Sequence, residues 1–375
     1  MTTDSSVSSV PYVPASTTLN LLALSAQAIQ ELVSAQGWPR YRAEQILQWL
    51  YRRRARTIDQ MTDLGLADRN RLRTLAEIQR LHLDQVLTSS DGTRKFLFRL
   101  DDGLIVESVC IPDNSRLTLC LSTQVGCTLD CRFCLTGQMG LHRNLKAHEI
   151  VDQVLSVLDH FSADERLTNL VLMGMGEPLA NLEAVTDAIH RLTNTRWGLG
   201  IAPRRLTLST AGLANRLGAV APLGVNLAVS LNATTRAQRD QVMPTANQLH
   251  PLDEVLAACR DYALPPRRHL TFEYVLLAGV NDSSADARRL VKLLSGIRSK
   301  INLIPFNEFP GSPYLRPADA VVLQFQAILK AAGFPVFIRQ SKGPDILGAC
   351  GQLGQLPASQ ASPPLVPVGS VGSGR

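Results

Sequence analysis

From Leu117 onward, runs with a strand period alternate with runs of helical period, and this alternation limits the fold more than any other feature of the chain. Strand patterns fall at 117–122, 169–173, 205–209, 225–230, 270–276 and 301–306. Helical patterns follow them at about 147–160, 181–195, 213–220, 251–263, 284–297 and 317–332. Strands joined through crossovers of this length pair in parallel, because a tight turn can only link antiparallel neighbours. Six such β/α units predict an α/β fold, a partial (β/α)6 TIM-like barrel over 113–350. A chain of 375 residues holds a barrel of about 200–250 residues and one smaller domain besides.

Upstream of the barrel the period changes. Ile29, Leu32 and Val33 form one apolar stripe, Ile46, Leu47, Trp49 and Leu50 a second, and Leu72, Leu75 and Ile78 a third. They predict a small helical domain over 19–84. Thr93–Leu100 and Leu104–Ile111 then alternate with period two, with Asp91-Gly92 before them and Asp102-Gly103 between them. This predicts a β-hairpin extension over 85–112. Another short strand, Pro335–Arg339, leads into a loop holding Cys350. The Ser/Thr/Pro-rich residues 1–18 and the Pro/Gly/Ser-rich residues 351–375 read as disordered ends.

The net charge of +6 is concentrated in one place. Trp38–Arg80 carries ten arginines against Glu44, Asp59, Asp63, Asp68 and Glu77, with Trp38, Tyr41 and Tyr51 interleaved. Cations for phosphates and aromatic planes for bases are what an RNA-binding surface needs. A solvated helix face is the competing reading. No basic-then-apolar leader and no stretch of about 18 apolar residues is found, so the expected location is the cytoplasm, with no membrane involved. Seven cysteines fit a reducing compartment better than a disulfide scaffold.

Three of those cysteines form the run CTLDCRFC, a C-x3-C-x2-C triplet of Cys127, Cys131 and Cys134. Three thiolates without a fourth in step suit an iron–sulfur cube with one iron left open. Structural zinc wants four closed ligands, and His142 or His148 lies near enough in sequence to be the fourth. Both readings stand on spacing alone. The triplet resembles the signature of radical S-adenosylmethionine (AdoMet) enzymes, in which the open iron binds AdoMet. Barrel chemistry sits at the C-terminal ends of strands, and this chain places small and polar residues there. They are Gly174-Met175-Gly176-Glu177-Pro178, Ser209-Thr210-Ala211-Gly212, Ser230-Leu231-Asn232 and Asn307. Each alone reads equally as a turn or cap residue; together they form a cradle for AdoMet.

Read together, QVGCTLDCRFC, MGMGEP, LSTAG, SLNA, LIPFNEFPG and GACGQL resemble the RlmN-type radical AdoMet methyltransferases, from about residue 20 to residue 353. The resemblance implies a barrel of the radical AdoMet type and methylation of adenine carbon 2 in 23S rRNA and certain tRNAs. It implies one 4Fe-4S cluster on Cys127, Cys131 and Cys134, and two molecules of S-adenosyl-L-methionine per turnover. The cofactor-binding set is Gly176, Glu177, Ser209, Ser230, Leu231, Asn232 and Asn307. Cys350 is implied to take a methyl group from one AdoMet; a radical from the second then abstracts hydrogen from it, and the carbon adds to adenine. Cys120 removes the ring proton and releases product through a disulfide with Cys350. Glu107 matches the proton-handling carboxylate. By pattern alone Cys120 reads as a buried strand cysteine and Glu107 as an edge or a placed functional residue. Cys110 and Cys259 match no role. An external flavodoxin- or ferredoxin-like electron donor and a monomeric state complete the expectation. Two alternatives remain: a Cfr-type enzyme acting on adenine carbon 8, and a non-catalytic RNA-binding protein stabilised by zinc.

Overall fold

A computed structural model describes residues 18–355; the expected loose ends at 1–17 and 356–375 lie outside them. The chain divides into two units, Met1–Arg80 and Leu81–Arg375.

The first unit is built on helices at Ala26–Ala35, Tyr41–Tyr51 and Leu66–Leu75. Ser25 starts the first by accepting the Ala28 amide at 3.0 Å, which satisfies one of the donors a helix N-terminus leaves free. Ile29, Val33, Ile46, Leu47, Leu50 and Leu72 meet in its core, as the three stripes predict. The third stripe is shorter than expected. Its helix ends at Leu75, because Ala76–Glu77 leaves to pair in parallel with Leu19–Asn20. Tyr51 is 1% exposed and belongs to the core, so it is not available to stack on a base. Tyr41 is exposed, with the Arg42 guanidinium 5.3 Å from its ring centroid.

The second unit is organised by one ten-stranded sheet whose spatial order follows the chain. Its strands are β1 (His82–Thr88), β2 (Arg94–Arg99), β3 (Ile105–Asp113), β4 (Arg116–Cys120), β5 (Asn169–Leu172), β6 (Leu206–Thr210), β7 (Asn226–Ser230), β8 (Leu270–Leu276), β9 (Ser299–Pro305) and β10 (Val336–Ile338). β1 to β4 pair antiparallel, and β4 to β10 pair in parallel. The extension therefore has a third strand beyond the expected hairpin. β1, HLDQVLT, has no fully buried residue; it is a polar edge strand and carries too weak an alternation to be read.

Leu119, Leu170, Leu172, Leu208, Leu227, Val229, Phe272, Tyr274, Ile301 and Leu303 are buried in the parallel strands, as covering by crossover helices on the outer side requires. Six β/α units followed by β10 make a curled, unclosed sheet with β1 and β10 at its edges. The crossover expected at 213–220 is a 3-10 segment, Ala214–Leu223, interrupted by Pro222. Two short helices that the periodicity did not show, Arg236–Val242 and Pro244–Leu249, follow β7. The tail also begins later than expected, since Gln352 and Leu353 are buried. Among the described residues no helix is long and apolar enough to cross a membrane.

Candidate active site

After β4 the chain closes a tight loop. Gln124–Gly126 pairs antiparallel with Leu141–Asn144, and the triplet lies between them. Gly126 has φ +74°, and a Cβ there would sit 1.8 Å from the Gly140 carbonyl oxygen. That oxygen instead accepts the Cys127 amide at 3.0 Å. Gln124 braces the loop by accepting the amides of Thr128 (3.2 Å) and Glu177 (2.9 Å). The Arg132 amide donates to the Val242 carbonyl at 3.0 Å, and Thr245 donates to Asp130 at 3.0 Å, so the loop is docked on the two short helices after β7.

Cys127, Cys131 and Cys134 line one cleft. Burial raises the pKa of all three thiols, that of Cys127 to about 12. Bare thiolates are disfavoured there, and bound iron would make them stable.

The strand ends supply most of the predicted cradle. Gly176, Glu177, Ser209, Ser230, Asn232 and Asn307 line the same cleft. Gly176 has φ +102° and leaves no room for a side chain, since a Cβ would meet the Gln124 side chain at 2.5 Å. Glu177 accepts the amides of Leu179 (3.0 Å) and Ala211 (2.7 Å), pinning the loop after β5 to the end of β6. Burial nevertheless pushes its pKa up. Asn232 accepts the Val275 amide at 2.8 Å from a left-handed backbone of φ 54°. Leu231 is the exception. It is buried and absent from the cleft wall, and its amide donates to the Glu273 carbonyl at 3.0 Å.

The C-terminal loop brings Cys350 to the same cleft. Its carbonyl accepts Asn307 Nδ2 at 2.9 Å. The next carbonyl, of Gly351, accepts the amide of Leu135 at 2.7 Å, one residue beyond Cys134. Cys350 is exposed, yet desolvation by the cleft wall raises its pKa; Arg339 opposes the shift, while Glu273 and Cys134 add to it. Cys120, at the end of β4, is buried. It does not line the cleft wall; burial raises its pKa first, and the Cys350 thiol adds to the effect. All seven thiols are free.

Glu107 lies under the loop rather than on the cleft wall. It accepts the Gly354 amide at 3.2 Å and pairs with buried Lys95 at 3.4 Å. Lys95 also donates to the Leu347 carbonyl at 3.3 Å. Burial raises the Glu107 pKa against the pull of Lys95.

Two charged residues on the cleft wall escaped the sequence reading: Glu273 in the middle of β8 and Arg339 just past β10. Glu273 is buried, and one oxygen accepts Asn302 Nδ2 at 2.8 Å. Its alternation within an apolar strand was the available signal.

The donor set fits a 4Fe-4S cube. Cys127, Cys131 and Cys134 would hold three of its irons and leave one without a protein ligand. The zinc reading is corrected: neither His142 nor His148 lines the cleft. Among the described residues no three His, Cys, Asp or Glu side chains gather closely enough for one metal ion.

Comparison with known proteins agrees with this geometry. Residues 19–78 match the family described as Ribosomal RNA large subunit methyltransferase N-terminal domain, and residues 121–291 match the Radical SAM superfamily. The chain is 51% identical to the Dual-specificity RNA methyltransferase RlmN of Desulfosudis oleivorans, over 84% of this chain and 84% of that one. It is 49% identical to the protein of the same description from Geobacter sulfurreducens, over 92% and 95% of the two chains. A crystal structure of a radical SAM methyltransferase from Sphaerobacter thermophilus superposes with a TM-score of 0.84 at 42% identity, covering 89% of this chain and 99% of that one. Relatives this similar over nearly the whole length, sharing both the helical unit and the cluster barrel, place the chain in the RlmN family of dual-specificity RNA methyltransferases.

Proposed function

We propose that this enzyme methylates carbon 2 of adenine in 23S rRNA and in tRNA, with Cys350 as the carrier of the transferred carbon. The observation that carries the reading is the meeting of Cys350 with Cys127, Cys131 and Cys134 in one cleft. Adenine carbon 2 lies between two ring nitrogens and is electron-poor, so a direct polar transfer from AdoMet would pair two electrophiles. When bound, the 4Fe-4S cluster and AdoMet supply the methyl group and a hydrogen-abstracting radical.

The residues of the chain do the rest. Cys350 attacks as a thiolate, its sulfur–carbon bond forming as the donor's sulfonium–carbon bond breaks. Arg339, which opposes the rise in its pKa, favours that charged form. Asn307 holds the Cys350 carbonyl and fixes where the methylated sulfur points. Cys120 takes the ring proton from the adduct as the adduct's unpaired electron is given up to the cluster that Cys127, Cys131 and Cys134 would hold. The Cys120 sulfur then displaces the methylene carbon from Cys350, the disulfide forming as that sulfur–carbon bond breaks and the carbon taking up a proton to become the methyl group on the base. Glu107, with a raised pKa suited to proton exchange, acts from beneath through the loop it holds. Gly176, Ser209, Ser230 and Asn307 line the AdoMet site. The amino group falls to backbone around Gly176, since both oxygens of Glu177 already accept amides.

The helical unit with its exposed Arg52 and Arg56 is the RNA-docking part of the proposal, and a small flavodoxin- or ferredoxin-like protein is its electron donor. The test is the nucleoside made by the anaerobically reconstituted protein on both RNAs. 2-Methyladenosine is the expected product, and 8-methyladenosine would overturn the reading in favour of the carbon-8 enzyme.

A further inference from the structure

Arg239 is 0% exposed, the largest fully buried side chain described. Its guanidinium donates to two backbone carbonyls, Leu231 (2.8 Å) and Ala211 (2.6 Å), and its Nε has no partner. No carboxylate pairs with it among the described residues. A buried cation held only by neutral dipoles is costly, because taking the charge out of water is not offset by an anion. Burial accordingly lowers its pKa to about 10.

The surroundings show where the counter-charge belongs. Arg239 sits on the helix Arg236–Val242, whose last carbonyl, Val242, accepts the amide of Arg132, next to Cys131. Cys131 and Cys259 are the side chains that, once ionised, would favour the charged guanidinium. Cys131 is a cluster ligand of the reading above, while Cys259 matches no role there. Both carbonyls Arg239 grips belong to the strand-end rim, and Ala211 lines the cleft.

We infer that Arg239 is the buried counter-ion of the iron–sulfur cluster, a positioning residue that favours the cluster's reduced state while bracing the ends of β6 and β7. The reason is electrostatic. A 4Fe-4S cube on three thiolates is anionic and gains one more negative charge on reduction. In a low-dielectric interior, a fixed cation stabilises the more negative state most. The inference rests on the triplet carrying the cluster. Failure of that reading shows as absent iron in the unmodified protein, whereas failure of this one shows only in the variants.

The experiment is a reductive titration of the anaerobically reconstituted full chain, followed by electron paramagnetic resonance, with iron and sulfide counted beforehand. Arg239→Gln keeps a donor but loses the charge, and its midpoint potential is expected to move to more negative values. Arg239→Lys keeps the charge but loses the two-pronged grip. Its potential is expected to stay near wild type while AdoMet binding weakens several-fold. An iron-replete Arg239→Gln protein with an unchanged potential overturns the inference, as does equal loss of iron from both variants. If Arg239→Gln is insoluble, Arg239→Lys decides: a wild-type potential supports the role and a negative shift overturns it.

Discussion

As the proposed cluster ligands, Cys127, Cys131 and Cys134 would act as a unit, because burial disfavours each thiolate without iron. Removing one leaves two ligands, which do not retain a cube. A reconstituted Cys131→Ala protein is expected to hold a small fraction of the wild-type iron and to lose AdoMet cleavage; full iron with full cleavage would contradict the assignment. Sequence alone singled out these thiols because their spacing is local. The same holds for Gly176, Ser209, Ser230, Asn232 and Asn307, which strand ends bring to one rim. Arg339 was not legible and Glu273 only faintly so, since their significance lies in sharing the cleft wall with Cys350 from distant parts of the chain. Arg239 lay on a short polar helix with no periodic signature.

At the scale of elements, the antiparallel extension holds the catalytic loop. Ser89 in the β1–β2 turn donates to Asp345 at 2.6 Å, and Asp91 accepts the Gly343 amide at 3.1 Å and that of Thr93 at 2.9 Å. Residual desolvation works to raise the pKa of the exposed Asp91, but hydrogen bonds from Thr93, Gly343 and Ser89 outweigh it and bring the value from 3.8 to about 2. A carboxyl depressed by folding adds stability above its unfolded pKa and loses it as pH falls through the folded one. The clamp is thus complete above about pH 4 and released toward pH 2. Hydrogen exchange at Gly343 is expected to quicken in Asp91→Ala at neutral pH. Unchanged protection would show that Asp91 does not hold the loop.

Gly126→Ala tests the cluster loop in the same way. A left-handed L-residue costs about 1–2 kcal/mol, and the clash with Gly140 adds to it, so lower thermal stability and lost iron are expected together. A variant with wild-type melting temperature and iron content would contradict this. The parallel strands were legible as continuous apolar runs between polar turns, whereas β1 was not, because an exposed edge strand needs no apolar face.

For the whole molecule, RNA affinity is the property that the barrel alone does not explain. Arg53 lies 4.2 Å from the Trp49 ring centroid and pairs with Asp63, which makes it part of the fold of its unit. Arg52 and Arg56 are the exposed neighbours. Replacing both by Gln is expected to weaken binding across RNA sequences. The slope of log affinity against log salt should also become shallower, by about 0.7–0.9 for each phosphate no longer neutralised. AdoMet cleavage without RNA should not change. An unaltered slope would make the patch a solvated face.

The central claim is that Cys350 carries the methyl carbon to adenine and Cys120 releases it. Tandem mass spectrometry of Cys120→Ala protein made in cells tests this most directly. The expected result is RNA covalently attached through a methylene at Cys350, with no attachment in Cys350→Ala. Free methylated product from Cys120→Ala, with Cys350 carrying no nucleotide, would contradict the account.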